Sequence, residues 1–412
     1  MSTPRIALCG LLLLTCPVHL VAQSGQAKAF TGLTLIDGTD RPPVANATIL
    51  VRDGKVVAAG TANSVTIPPG AERIALDGKF VMPGLINAHG HVDSLPDLRT
   101  YAVYGVTTVF SLGSEPTEVF AARAEQTSPT LDRARVFVAG PVLTPRTPDE
   151  ARSQVADIAA RKADIVKIRV DDNLGTAQKM PPEIYRVVID EAHKLGLRVA
   201  AHLFYLADAK SLLDAKVDLI AHSVRDADVD ATLLSSLKAS GVCYVPTLMR
   251  EVSTFVYEST PDFFSDPLFV AHANPEWVAA GRDTARQRSV RASASAQRYK
   301  VALEVASRNV KKLADGGVKI AMGTDTGPTG RFQGYFELME LELMARAGLT
   351  PKQVLASATR DAARCLKLDR DLGTLEPGKW ADFIALDANP FTSISNVRRI
   401  SSVWIAGNKV PR

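Results

Sequence analysis

The stretch ADIVKIRV, residues 163–170, decides the fold. On an extended strand, successive side chains point to opposite faces. Val166, Ile168 and Val170 then share an all-aliphatic face, suited to packing under helices. Ile165, Lys167 and Arg169 share the other face, which carries a lysine toward the strand's C-terminal end. Seven further apolar runs resemble it: FVMPGLINAH (80–89), GVTTVFSLG (105–113), ARVFVAGP (134–141), LRVAAHL (197–203), VDLIAHS (217–223), GVCYVPT (241–247) and VKIAMGTD (318–325). Helical patterns such as PPEIYRVVIDEAHKLG (181–196) lie between them. Eight strands alternating with helices predict an α/β fold, a (β/α)8 barrel of the TIM type over 80–371. The spacer 250–316 is too long for one helix, and reads as an insertion over the active face.

Both ends of the chain have a different texture. VRDGKVVAAG (51–60) is a hairpin signal, and GTLEPGKWADFIALDAN (373–389) and ISSVWIAGNKV (400–410) continue in short β-rich runs. Neither end has enough strands to stand alone. Residues 25–79 and 372–412 are therefore expected to form one accessory β-sandwich.

Residues 1–24, MSTPRIALCGLLLLTCPVHLVAQS, have one early arginine, an apolar stretch and a less apolar end. This layout predicts a secretory signal peptide cut after Ala22 or Ser24, and a periplasmic or secreted protein. The remaining cysteines, Cys243 and Cys365, fall in separate elements. They are expected as two buried apolar thiols, although an oxidising compartment would permit a pair. The 412 residues carry a net charge of only +4 without a dense basic run. Nucleic acid and, after leader removal, a membrane are not expected as partners. A small-molecule substrate is expected, and a homo-oligomer stays open.

Alternation supplies a test for chemistry. His202 shares a face with Ala200, His222 with Ile220, and Asp325 with Ala321 and Gly323. His89 and His91 share a face with Asn87. Each falls near a strand's C-terminal end, where barrel active sites are built. Four imidazoles and a carboxylate suit zinc or a similar divalent ion. Together with Lys167 they are too many for one catalytic ion and about right for two. A lysine ammonium repels metal, whereas its carbon dioxide adduct, a carbamate, is an anionic bridge. His193 in a charged helix and His272 in the insertion fail the test, and His19 leaves with the leader.

With its HGH motif at His89 and His91, then Lys167, His202, His222 and Asp325 in that order, the sequence resembles the amidohydrolase superfamily. VMPGLINAHGH (81–91) and GTLEPGKWADFIAL (373–386) are also typical. It is most similar to the imidazolonepropionase-like and prolidase-like group. The strand-four lysine implies the two-metal type, unlike imidazolonepropionase itself. The resemblance implies that His89, His91 and Asp325 hold a buried metal, and His202 and His222 an outer one. Carboxylated Lys167 and a hydroxide would bridge the two, with Asp325 as proton shuttle. The expected reaction is hydrolysis of a C–N bond in an N-acyl amino acid or dipeptide. A lactonase or phosphotriesterase would use a nearly identical centre, and a non-enzymatic relative would be expected to lose ligands. Arg169, Tyr205, Arg225 and Arg250 flank strand ends and are candidate substrate contacts.

Overall fold

The computed structural model describes residues 25–412; the expected leader, 1–24, lies outside them. The described residues begin with β1 (Lys28–Leu35), β2 (Val44–Arg52), β3 (Lys55–Thr61), β4 (Glu72–Ala75) and β5 (Phe80–Pro83). It then alternates β6 (Leu85–Gly90), β7 (Val106–Ser111), β8 (Arg135–Phe137), β9 (Val166–Arg169), β10 (Val199–His202), β11 (Leu219–Ala221) and β12 (Cys243–Val245) with helices. It ends with β13 (Phe383–Leu386), β14 (Ile400–Ile405) and β15 (Asn408–Lys409).

Both chain ends enter one eight-stranded sheet, ordered β15-β14-β13-β5-β1-β2-β3, with β4 paired to β1. Phe30 packs edge-on against Phe383 and Trp404, which joins the first strand to the last ones. The run 80–89 is divided between two sheets. Phe80–Pro83 pairs with β1 and β13, and only after Gly84 does the chain enter the parallel strands. The end sheet therefore extends past the expected limit at residue 79.

The parallel strands form two groups, β6-β7-β8 and β12-β11-β10-β9. Backbone bonds from Asp164 to Val138 and from Leu143 to Lys167, both 2.8 Å, join β8 and its continuation to β9. The eighth run, 318–325, has no long ladder but bonds on both sides. Tyr244 donates to Lys319 (2.9 Å) and Ala321 to Tyr244 (3.0 Å). Ala88 donates to Met322 (2.8 Å) and Thr324 to His89 (3.0 Å). Gly323 is required here: a Cβ would lie 2.5 Å from Val245 and 3.0 Å from the His89 backbone.

The faces of β9 and β10 are as alternation predicts. Val166, Ile168, Val170, Val199 and Ala201 belong to the core shared with the helices. Ile165, Ala200, Leu219, Ala221, Val245 and Ala321 form a second, interior cluster. Cys243 and Cys365, expected as free thiols, are a disulfide spanning 122 residues. The helix Arg360–Leu366 brings Cys365 under the start of β12, a meeting that separation in sequence hides. Arg198, just before β10, donates to the Cys365 and Leu366 carbonyls at the same place (both 2.8 Å).

The spacer 250–316 resolves into two parts. Its last third belongs to the 22-residue helix Ala294–Asp315, whose Ala302, Ala306, Val310 and Leu313 are buried. The rest is an aromatic subdomain in which Phe263, Phe264, Phe269 and Trp277 pack on Phe332. It thereby grips the loop after Asp325. Among the described residues, no helix is long and apolar enough to cross a membrane.

Candidate metal centre

The six residues singled out from the sequence converge. His89, His222 and Asp325 are buried, and their ligand atoms lie within 4.8 Å of one another. The His202 and His222 rings are 4.2 Å apart, His89 and His222 4.5 Å, and His89 and His91 5.8 Å, by ring centroids. Lys167 Nζ is 3.4 Å from His89 Nε2. Asp325 Oδ1 is 2.9 Å from His91 Nε2 and 3.3 Å from His89 Nε2.

Two of these placements arise differently from the alternation argument. Asn87 does not share the histidines' surroundings: its amide donates to Thr324 (2.9 Å) and Glu337 (2.6 Å). A register irregularity between Asn87 and Gly90 re-aims His89. Ile220 packs with the outer core and its neighbours Leu219 and Ala221 inside, opposite to the expected parity. His222 turns inward because its φ is 81°, off the strand path. Asp325 (φ 61°) and Thr247 (φ 50°) are also left-handed. Such non-glycine backbone is costly and gathers at functional sites.

The rings are oriented from behind. His222 Nδ1 is 2.7 Å from Thr247 Oγ1, His91 Nδ1 is 3.3 Å from the Gly113 carbonyl, and His202 Nε2 is 2.9 Å from Asp171 Oδ2. Each leaves the opposite ring nitrogen for a metal. His89 Nδ1 is buried with no hydrogen-bond partner among the described residues. Burial, above all, lowers the imidazole pKa values: His89 to about 3, His202 to about 4, and His222 well below its ordinary value. The rings are thus neutral, as metal ligands must be. Burial also pushes Lys167 down to about 7. Burial would raise Asp325, but Arg331 and His89 outweigh it and hold the carboxylate ionised. Neutral imidazoles, an ionised carboxylate and an amine that can become an anion fit a divalent metal pair.

Asp171, Thr247 and Arg331 escaped the sequence reading. Arg331 pairs with Asp325 across a glycine-rich loop, which no periodicity announces. Asp171 had a signal, since it continues the odd-numbered face of Lys167 and Arg169. The four candidate substrate contacts separate. Arg225 is enclosed, donating to the Leu203 and Ser223 carbonyls (3.0 and 2.7 Å) with Nε 3.0 Å from Glu251. Arg250 is buried between Glu251 (3.2 Å) and the Tyr299 hydroxyl (3.0 Å). Tyr205 donates to Asp172 (2.7 Å). Arg169 is partly exposed and reaches Asp171 (3.2 Å).

The model of the Amidohydrolase family matches residues 80–410, most of the chain. The chain belongs to this family. An imidazolonepropionase of Deinococcus deserti is 36% identical over 104 residues, 24% of this chain and 26% of that protein. An ochratoxinase of Aspergillus niger is 27% identical over 281 residues, 65% of this chain and 51% of that one. The matched regions thus span about a quarter and a half of these curated relatives. The solved structure of a proposed prolidase from Bifidobacterium longum superposes with a TM-score of 0.76 at 26% identity, covering 94% of this chain and 95% of that one. The likeness supports a TIM-barrel-type α/β fold. Members of this amidohydrolase family are metal-dependent, in keeping with the His89, His222 and Asp325 cluster.

Proposed function

We propose that the chain is a binuclear metal-dependent hydrolase that cleaves a C–N bond in a small substrate, such as an N-acyl amino acid or dipeptide. The observation that carries this reading is the convergence of four imidazoles, Lys167 and Asp325 in one cluster. The family and its prolidase, ochratoxinase and imidazolonepropionase relatives support a C–N bond as the target.

In this reading His89, His91 and Asp325 would hold one ion and His202 and His222 another, and Lys167, as a carbamate, would supply a further anionic ligand. To form it, the neutral amine attacks the carbon of carbon dioxide and loses a proton, leaving an N-bound carboxylate. Zinc suits the donor set. When bound, the ions acidify water and polarise the substrate carbonyl. The chain's own groups do the rest. The partners Thr247, Gly113 and Asp171 fix the three rings. Asp325 takes the proton of the attacking water and passes it to the departing amine. Arg331 keeps that carboxylate aimed and ionised.

The same reading closes the eight parallel segments into a barrel, supported by the hydrogen bonds on both sides of 318–325, and makes the end sheet its β-sandwich companion. It also assigns the protein to the periplasm or the exterior. The Cys243–Cys365 pair supports an oxidising compartment.

The test is a panel of N-acyl amino acids, Xaa-Pro dipeptides, lactones and aryl phosphotriesters, assayed with and without a chelator. Chelator-sensitive cleavage of an amide is expected. Turnover confined to lactones or phosphotriesters would replace the substrate class, and turnover untouched by metal removal would contradict the mechanism.

A further inference from the structure

The helix Tyr335–Arg346 turns two carboxyl groups inward, Glu337 and Glu340, that belong neither to the six-residue cluster nor to the mechanism above. Both are fully buried. A glutamate is almost never fully buried unless its oxygens are engaged, so the groups they bond to are informative. Three residues apart, the two face the same way and stand roughly 4.5 Å apart along the helix axis.

Glu337 reaches one half of the cluster. Its Oε1 accepts from Asn87 Nδ2 (2.6 Å), Thr324 Oγ1 (2.7 Å) and Thr326 Oγ1 (2.5 Å). Asn87 in turn accepts the His89 N–H on Oδ1 (3.0 Å). Thr324 and Thr326 flank Asp325. The two segments also bond to each other, the Asp325 N–H to the His89 carbonyl (2.6 Å) and the His91 N–H to the Thr326 carbonyl (2.7 Å). One carboxyl oxygen thus ties the strand carrying His89 and His91 to the loop carrying Asp325. Glu340 reaches the other half. Its two oxygens accept the Leu248 and Met249 N–H groups (2.9 and 2.6 Å). These follow directly on Thr247, the left-handed residue whose hydroxyl meets His222 Nδ1 (2.7 Å).

We propose that the helix Tyr335–Arg346 sets the relative position of the two halves of the metal centre, with Glu337 and Glu340 as its positioning residues. Glu337 fixes His89, His91 and Asp325, and Glu340 fixes His222 through Thr247. The inference rests on the reading of the cluster as a metal centre. A helix suits the task, because its ladder of hydrogen bonds holds the two carboxyl groups at a set spacing while each grips a different, irregular stretch of backbone.

The bonding pattern separates position from charge. Glu337 Oε2 is buried with no hydrogen-bond partner among the described residues, so all three donors use Oε1. Glutamine keeps that oxygen and the length of the side chain. Aspartate keeps the charge but is shorter by one methylene. If Glu337 acts by position, Glu337→Gln should hold metal nearly as the wild type does, and Glu337→Asp should resemble Glu337→Ala. If it acts as a negative charge near the ions, the order reverses. Glu340 uses both oxygens, so Glu340→Gln, which loses one acceptor, should fall between the wild type and Glu340→Ala.

The experiment measures zinc affinity of the full chain by competition with a chromophoric chelator, alongside urea stability and amide hydrogen exchange of the metal-free protein. Asp382→Ala is the control: it breaks a buried pair with Arg135 (2.6 and 3.0 Å) in the end sheet. It should lose stability and keep its zinc affinity. Glu337→Ala and Glu340→Ala should each bind zinc about 10–100-fold more weakly, the scale of lost partners behind metal ligands. In the metal-free protein, Glu337→Ala should speed exchange of the His89 and Asp325 amides, and Glu340→Ala that of Leu248 and Met249. If the alanine variants do not fold, the order of Glu337→Gln and Glu337→Asp decides. Unchanged zinc affinity in folded Glu337→Ala, an affinity that merely follows stability in all variants including Asp382→Ala, or a reversed order of Gln and Asp overturns the proposal and leaves the metal-centre reading standing. A wild type that binds no zinc, with exchange still divided between the two segments, would sink the metal-centre reading and keep the two attachments of the helix.

Discussion

Three histidines of the centre have one ring nitrogen engaged, by Thr247, Gly113 or Asp171. Partners of this kind typically contribute 10–100-fold to metal affinity. Asp171→Ala should therefore weaken metal retention about 10–100-fold, read by titration against a competing chelator. Unchanged retention would mean that His202 needs no orientation. In the proposed mechanism Asp325 carries a different burden, as ligand and as proton carrier. Asp325→Asn keeps an oxygen for metal but loses the basic carboxylate. It should retain metal while turnover falls about 10²–10⁴-fold, and near-normal turnover would remove Asp325 from the proton path. At this scale the residue types that gather in the cluster, and their order, were legible in the sequence, because each lies at the end of an apolar run. Arg331 was not, because its partner Asp325 is six residues away through an irregular loop.

At the level of elements, strand parity placed Lys167 and His202 correctly but reached His89 and His222 by an argument that fails locally. A β-irregularity and a left-handed residue re-aim those two side chains, and neither leaves a mark in hydrophobic periodicity. The disulfide was hidden for a similar reason: its halves are 122 residues apart and meet only through tertiary packing. A closed loop of that length constrains the unfolded chain strongly, and removing such a link typically costs about 2–5 kcal/mol. Replacing both cysteines by serine should lower denaturant stability by that amount, and a reductant should then have no further effect. Identical stability with and without the pair would contradict a structural role. Glu340, on the helix Tyr335–Arg346, is buried and accepts the Leu248 and Met249 amides (2.9 and 2.6 Å). Burial raises its pKa from 4.5 to about 8. The folded state then binds more protons than the unfolded one between those values, so stability falls as pH rises through that window. Urea unfolding of the metal-free protein at pH 5 and pH 8 should show this loss, and Glu340→Gln should reduce the difference. An equal difference in the variant would place the pH dependence elsewhere.

For the whole molecule, the parallel strands carry the histidine, Lys167 and Asp325 cluster at one end and are stapled by Cys243–Cys365 and Arg198 at the other. The sheet built from both chain termini packs alongside, and an aromatic subdomain holds the loop that follows Asp325. The alternating architecture was readable because eight apolar runs recur with helices between them. The grip of Phe263 and Phe269 on Phe332 was not, since nothing local ties residues some sixty positions apart. All of this structure serves one claim, that the centre is built for two ions bridged by Lys167. Elemental analysis of the purified, active chain, paired with turnover of the same sample, tests it most directly. The account predicts two divalent ions per chain, loss of both ions and activity on chelation, recovery only as the second equivalent returns, and less metal in Lys167→Ala. Full turnover with a single ion per chain, or none, would contradict it.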